Sequence, residues 1–168
     1  MPADMSPMNP PAHTRPALHP LLQRLLQQTS GTLLEVEGFD AWASQAGAAM
    51  LVFAEEPDRY KETLDLAVVV PELHAAVAGR FRVGLLAPVA ARALAPRYGF
   101  ARWPAFVMLR DGQYLGAVDG VRDWSEYVTE LGRLLAAPPS RPPTVGIPVR
   151  AAGAGADPAC PSPARRPT

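Results

Sequence analysis

The chain has 168 residues, 20 prolines and no net formal charge, which leaves room for one domain of ordinary size but not comfortably for two. Residues 21–137 carry 11 Lys and Arg against 14 Asp and Glu with no basic stripe, which argues against nucleic-acid binding. The single cysteine, Cys160, excludes an internal disulfide framework and fits a cytoplasmic home.

Prolines divide the chain. Six fall in residues 1–20 and nine in 138–168, with only five between. Both ends are too Pro-rich and too poor in large apolar residues to offset the entropy of ordering. The expectation is a disordered N-terminal segment 1–20, a folded domain 21–137 and a disordered Pro/Ala-rich tail 138–168. The start, Met1-Pro2-Ala3-Asp4-Met5, lacks a basic region followed by an apolar one and does not read as a secretory signal. The longest apolar stretch, Leu66 to Pro71, is too short to span a bilayer, so direct membrane insertion is not expected.

In chain order, Leu21-Leu22 and Leu25-Leu26 recur at helical spacing, and Gly31 ends that helix. Thr32 to Val36 reads as a short strand. Phe39, Trp42, Ala43 and Ala46 predict a second helix stopped by Gly47. Ala49 to Ala54 is a continuous apolar run, as in a strand covered on both faces. Val68 to Val70 alone suggests a strand, but Leu66, Val69, Leu73, Ala76 and Val77 share a helical stripe; a helix over 64–77 kinked at Pro71 is favoured.

Phe81 to Leu86 is the next strand and Val89 to Tyr98 the next helix, closed by Gly99. Two apolar runs, Ala105 to Leu109 and Tyr114 to Val118, flank Asp111-Gly112, a strong hairpin signal. Asp123 with Glu126 predicts a capping box for a last helix, whose buried stripe is Trp124, Tyr127, Val128, Leu131 and Leu135. Strands joined by helices, then a hairpin and a helix, predict an α/β sandwich with a mixed sheet and helices on both faces.

At Arg97-Tyr98-Gly99 through Trp103-Pro104-Ala105-Phe106 to Arg110-Asp111-Gly112 the chain resembles thioredoxin. The resemblance implies a thioredoxin-like three-layer sandwich with a cis peptide bond at Pro104, and it matches Pro71 to the family's kink proline. It fails at the active-site junction, which reads Ala54-Glu55-Glu56-Pro57-Asp58-Arg59-Tyr60-Lys61 where thioredoxins carry Cys-x-x-Cys. Dithiol exchange needs an attacking and a resolving thiol close together, and the folded region has neither.

Residues 32–137 resemble a narrower group, the thioredoxin-like accessory proteins encoded with bacterial uptake nickel–iron hydrogenases (the HyaE, HupG and HoxO type). The resemblance implies a non-enzymatic maturation chaperone with no cofactor. Its implied partners are the hydrogenase small-subunit precursor with its twin-arginine signal peptide, and other hydrogenase accessory proteins.

Two candidate surfaces follow. Arg102, Trp103 and Pro104 lie where such folds present an exposed main-chain edge to which an extended peptide can add; alternatively Pro104 only shapes a turn and Trp103 packs on the core. Glu55, Glu56, Asp58 and Glu62, with Asp65 beyond, could attract paired arginines, or could be a solvated helix start favoured by the macrodipole. His13, His19 and His74 have no metal-ligand spacing, and no nucleophile arrangement is recognisable. A redox enzyme using an atypical thiol and a permanent structural subunit of an assembly complex remain as alternatives.

Overall fold

The structure, a computed structural model, describes residues 18–143; the disorder expected of the outermost segments, and Cys160, lie outside the described residues. The elements are α1 (Pro20–Thr29), β1 (Thr32–Leu34), α2 (Phe39–Ala43), β2 (Ala48–Phe53), α3 (Thr63–Ala76), β3 (Arg82–Leu86), α4 (Pro88–Leu94), a 3-10 turn (Ala95–Arg97), β4 (Ala105–Arg110), β5 (Gln113–Asp119) and α5 (Trp124–Ala136). The order is the one the sequence predicts. The sheet runs β1-β3-β2-β4-β5. β1, β3 and β2 are parallel, β4 is antiparallel to β2, and β5 to β4.

Apolar side chains fill both faces of this mixed sheet. Met50, Val52, Phe106 and Met108 meet α1, α3 and α5 through Leu25, Leu66, Leu73 and Leu131. Leu51, Phe53, Val107 and Leu109 meet α2 and α4 through Phe39, Trp42, Ala90 and Leu94. Successive side chains of a strand point to opposite faces, so a central strand covered twice must be apolar throughout. That is why β2 and β4 read as unbroken runs. The result is the thioredoxin-like three-layer sandwich.

Local chemistry sets the ends. His19 Nδ1 accepts from Leu21 N–H (3.2 Å) to cap α1, so ordered structure begins before residue 21. α2 stops at Ala43, short of the expected Ala46, and Arg82 donates to the carbonyl of Trp42 within it and to those of Gln45 and Ala46 beyond it. α3 runs helically through Val68–Val70, with Pro71 buried inside it. The helix expected over Val89–Tyr98 instead tightens into a 3-10 turn around Pro96, which has no N–H to continue an α ladder. Asp111 (φ 51°) and Gly112 (φ 77°) make the hairpin turn left-handed at both positions, as a type I′ turn requires.

The expectations for α5 need two corrections. Asp123 stands at the N-cap but its side chain makes no capping bond, so the capping box with Glu126 does not form. Trp124 and Val128 are about half exposed (49% and 41%) and the buried stripe is Tyr127, Leu131 and Leu134. At about 100° per residue, Trp124 and Val128 lie on one edge of that arc, where the sheet no longer covers them.

Beyond Ala137 the chain stays on the domain. Arg110 donates to the carbonyls of Leu135 and Ala137, Ser140 N–H donates to Tyr114 O (2.7 Å), and Pro143 lies against Gly99. Residues 138–143 therefore form a strap along the domain instead of the start of a loose tail.

Candidate peptide-docking site

The site is built where β2 leaves the sheet. Phe53, its last residue, pairs with Leu86 and Ala105. Its ring is the hub of an aromatic group, with Phe100 at 4.9 Å, Tyr98 at 5.7 Å and Trp103 at 6.5 Å between centroids, all edge-on. Such geometry suits aromatic quadrupoles. Trp103 is half-buried and also meets Phe100 at 5.3 Å and Tyr60 at 6.5 Å.

The loop after β2 carries the acids. Glu55 is buried, 3% exposed. Its carboxylate accepts from Arg92 Nη1 at 2.8 and 3.0 Å and from Glu56 N–H at 3.2 Å. Glu56 O then accepts from the N–H groups of Arg59 and Tyr60, turning the loop so that Tyr60 returns to Trp103. Glu56, Asp58, Glu62 and Asp65 are exposed.

The loop before β4 is clipped from the other side. The Trp103–Pro104 bond is cis. Asp119 Oδ2 accepts from the N–H groups of Ala101 (3.0 Å) and Arg102 (3.1 Å), and Gly120 N–H donates to Pro104 O (2.8 Å). Arg122 reaches back to Asp119. Among the described residues, the hydrogen bonds of turns and loops take up neither the N–H nor the C=O of Trp103. Val121, next to Gly120, is half exposed.

The structure brings the 56–62 loop, which carries the exposed Glu56, Asp58 and Glu62, to Trp103 through Tyr60, with Pro104 buried behind it and Arg102 exposed at the rim. Grouping Glu55 with the outward-facing acids is corrected: its carboxylate points inward and is neutralised by Arg92. Tyr60, Phe100, Arg92 and Asp119 escaped the sequence reading. Phe100 could have been found from its closeness to Trp103 in the chain. Glu55 and Arg92 lie 37 positions apart, and no local pattern joins them. Trp103 packs on Phe53, as the packing alternative expects, and its ring still reaches the surface.

Chemically the site offers an aromatic wall, the uncommitted main chain of Trp103 and a charged rim on which Glu56, Asp58 and Glu62 stand among Arg59, Lys61 and Arg102. Among the described residues no group of three or more His, Cys, Asp or Glu could hold a metal ion, and no helix is long and apolar enough to cross a membrane. Burial raises the Tyr98 hydroxyl above its ordinary pKa despite the nearby Arg97.

Fold and site define a thioredoxin-like domain in which an internal glutamate–arginine pair and an aromatic notch stand where the dithiol would be. The family model for the hydrogenase-1 expression protein HyaE matches residues 21–127, and the chain belongs to that family. The hydrogenase expression/formation protein HoxO of Cupriavidus necator is 42% identical over 151 residues, covering 86% of this chain and 91% of that one. HoxO of Azotobacter vinelandii is 38% identical, covering 71% and 80%. HupG of Bradyrhizobium diazoefficiens is 36% identical, covering 67% and 76%.

Proposed function

We propose that this chain is a non-enzymatic chaperone of nickel–iron hydrogenase maturation, acting in the cytoplasm. It binds the small-subunit precursor with its twin-arginine signal peptide before export. Membership of a family whose relatives are called hydrogenase expression/formation proteins supports the maturation role. The observation that carries the binding mode is the uncommitted main chain of Trp103, beside an aromatic wall and the 56–62 loop with its exposed acids.

An extended client segment adds to that main chain, lays an apolar side chain on Trp103 and Tyr60, and sets its arginines against Glu56, Asp58 and Glu62. Arg102 on the rim orients the client's carbonyl groups. The junction carries no thiol, so the contact leaves the client's redox state unchanged.

The test is co-elution of the purified chain with intact and signal-deleted small-subunit precursor over a salt series. The intact precursor should bind more tightly, with an affinity that falls as salt rises. Absence of co-elution at every salt concentration ends the proposal, and reduction of insulin by the purified chain ends its non-enzymatic part.

A further inference from the structure

Residues 100–103 lie in the loop that leads from the 3-10 turn to β4. Among the described residues, the main chain of these four makes only two hydrogen bonds, and both go to one carboxylate oxygen. Asp119 Oδ2 accepts from Ala101 N–H (3.0 Å) and from Arg102 N–H (3.1 Å). Two successive N–H groups turned to one anion form a nest, and the charged acceptor makes both bonds stronger than neutral ones. The carboxylate is itself held from behind. Asp119 closes β5 opposite Ala105, and Arg122 Nη2 lies 3.4 Å from its Oδ1. The next residue, Gly120, donates to Pro104 O (2.8 Å) and accepts from the hydroxyl of the buried Tyr127 (3.2 Å).

We propose that Asp119 is a positioning residue for client docking, which holds the main chain of Trp103 in its docking conformation before any client arrives. The proposal deepens the docking reading of Trp103 and rests on it. Asp119 does not touch the client; it acts through Ala101 and Arg102. The rings of Phe100 and Trp103 pack on Phe53 and keep the loop on the domain. Ring packing does not fix how the peptide groups between them are turned, and the carboxylate does. A residue that presets a loop differs from one that touches the client in the rate it changes. Without the clip only a fraction of molecules holds the competent loop, and the apparent affinity falls by that fraction. That loss falls on association, whereas the loss of a direct contact speeds release.

The test uses the full chain, with amide hydrogen exchange of the free protein and surface plasmon resonance against intact small-subunit precursor. In Asp119→Ala the amides of Ala101 and Arg102 should exchange at least about tenfold faster, while those of Phe106 to Leu109 in β4 keep their protection. Association with precursor should slow about five- to tenfold with the dissociation rate unaltered. Asp119→Asn keeps an acceptor oxygen without the charge and should fall between the parent and Asp119→Ala in both measurements. Equal association rates for the parent and Asp119→Ala, or a loss carried by faster release, overturn the positioning role and leave the docking reading standing. Loss of protection throughout β4 also overturns it, since Asp119 would then act on general stability. If the parent chain itself does not bind precursor, the docking reading falls and the positioning role falls with it.

Discussion

Arg92 Nη1 contacts both carboxylate oxygens of Glu55, at 2.8 and 3.0 Å, tying the loop after β2 to α4. The two partners are unequal: the Glu55 side chain is 4% exposed and that of Arg92 41%. Removing the arginine strands a buried charge, whereas removing the glutamate leaves a cation that water can solvate.

Arg92→Ala should therefore cost more than Glu55→Gln, by about 1–3 kcal/mol. The double variant should recover part of the loss. Urea unfolding of the three proteins checks the order. Equal costs would mean that the pair contributes no more than an exposed one.

Trp103→Ala should weaken precursor binding and also lower stability by about 2 kcal/mol, because the ring packs on Phe53, Phe100 and Tyr60. A Trp103 that served only as an external anchor would leave the melt unaltered; the packing seen in the structure predicts a melting temperature several degrees lower. Trp103→Phe should keep most of the stability and lose part of the affinity, so comparison of the two separates docking from packing.

Gly99→Ala should be destabilising by about 1–3 kcal/mol. Gly99 has φ 61°, and an added Cβ would collide with the main chain of Pro143. Heteronuclear NMR should show the largest shift changes at Ser140, Tyr114 and Tyr98, where the strap lies. Changes confined to residues 97–101 would mean that the strap does not depend on this contact.

Exposure of the acids sets a further expectation. Glu56→Lys with Glu62→Lys should flatten the salt dependence of precursor binding while leaving the thermal melt within about 0.5 kcal/mol of the parent, as exposed charges do. An unaltered salt slope removes these carboxylates from the site.

Tyr98, Tyr114 and Tyr127 are all raised above the ordinary tyrosine pKa of 10.0, in each case chiefly by burial. A raised folded-state value adds stability that is fully present below pH 10 and is lost as pH climbs through the raised values. Ultraviolet absorbance should show these groups ionising only above pH 10, together with loss of the near-ultraviolet circular dichroism. Ionisation of all three at their ordinary value in a still folded chain would contradict their burial.

The sequence by itself determined the element order, the hairpin at Asp111-Gly112 and the proline-led entry to β4. These signals are local: a period of 2 or 3.6, a turn residue, a proline at a set distance from a glycine. It also offered Trp103 and the acids Glu55, Glu56, Asp58 and Glu62 as candidates, without separating Glu55 from the rest. Only the tertiary structure decided that Glu55 turns inward to Arg92, that Trp124 and Val128 lie at the uncovered edge of α5, and that residues 138–143 return along Tyr98 and Tyr114. Each depends on what another element places opposite. Helical periodicity gives an apolar arc but not where the sheet beneath it ends, and a run of carboxylates does not reveal which of them has an arginine 37 positions away waiting to receive it.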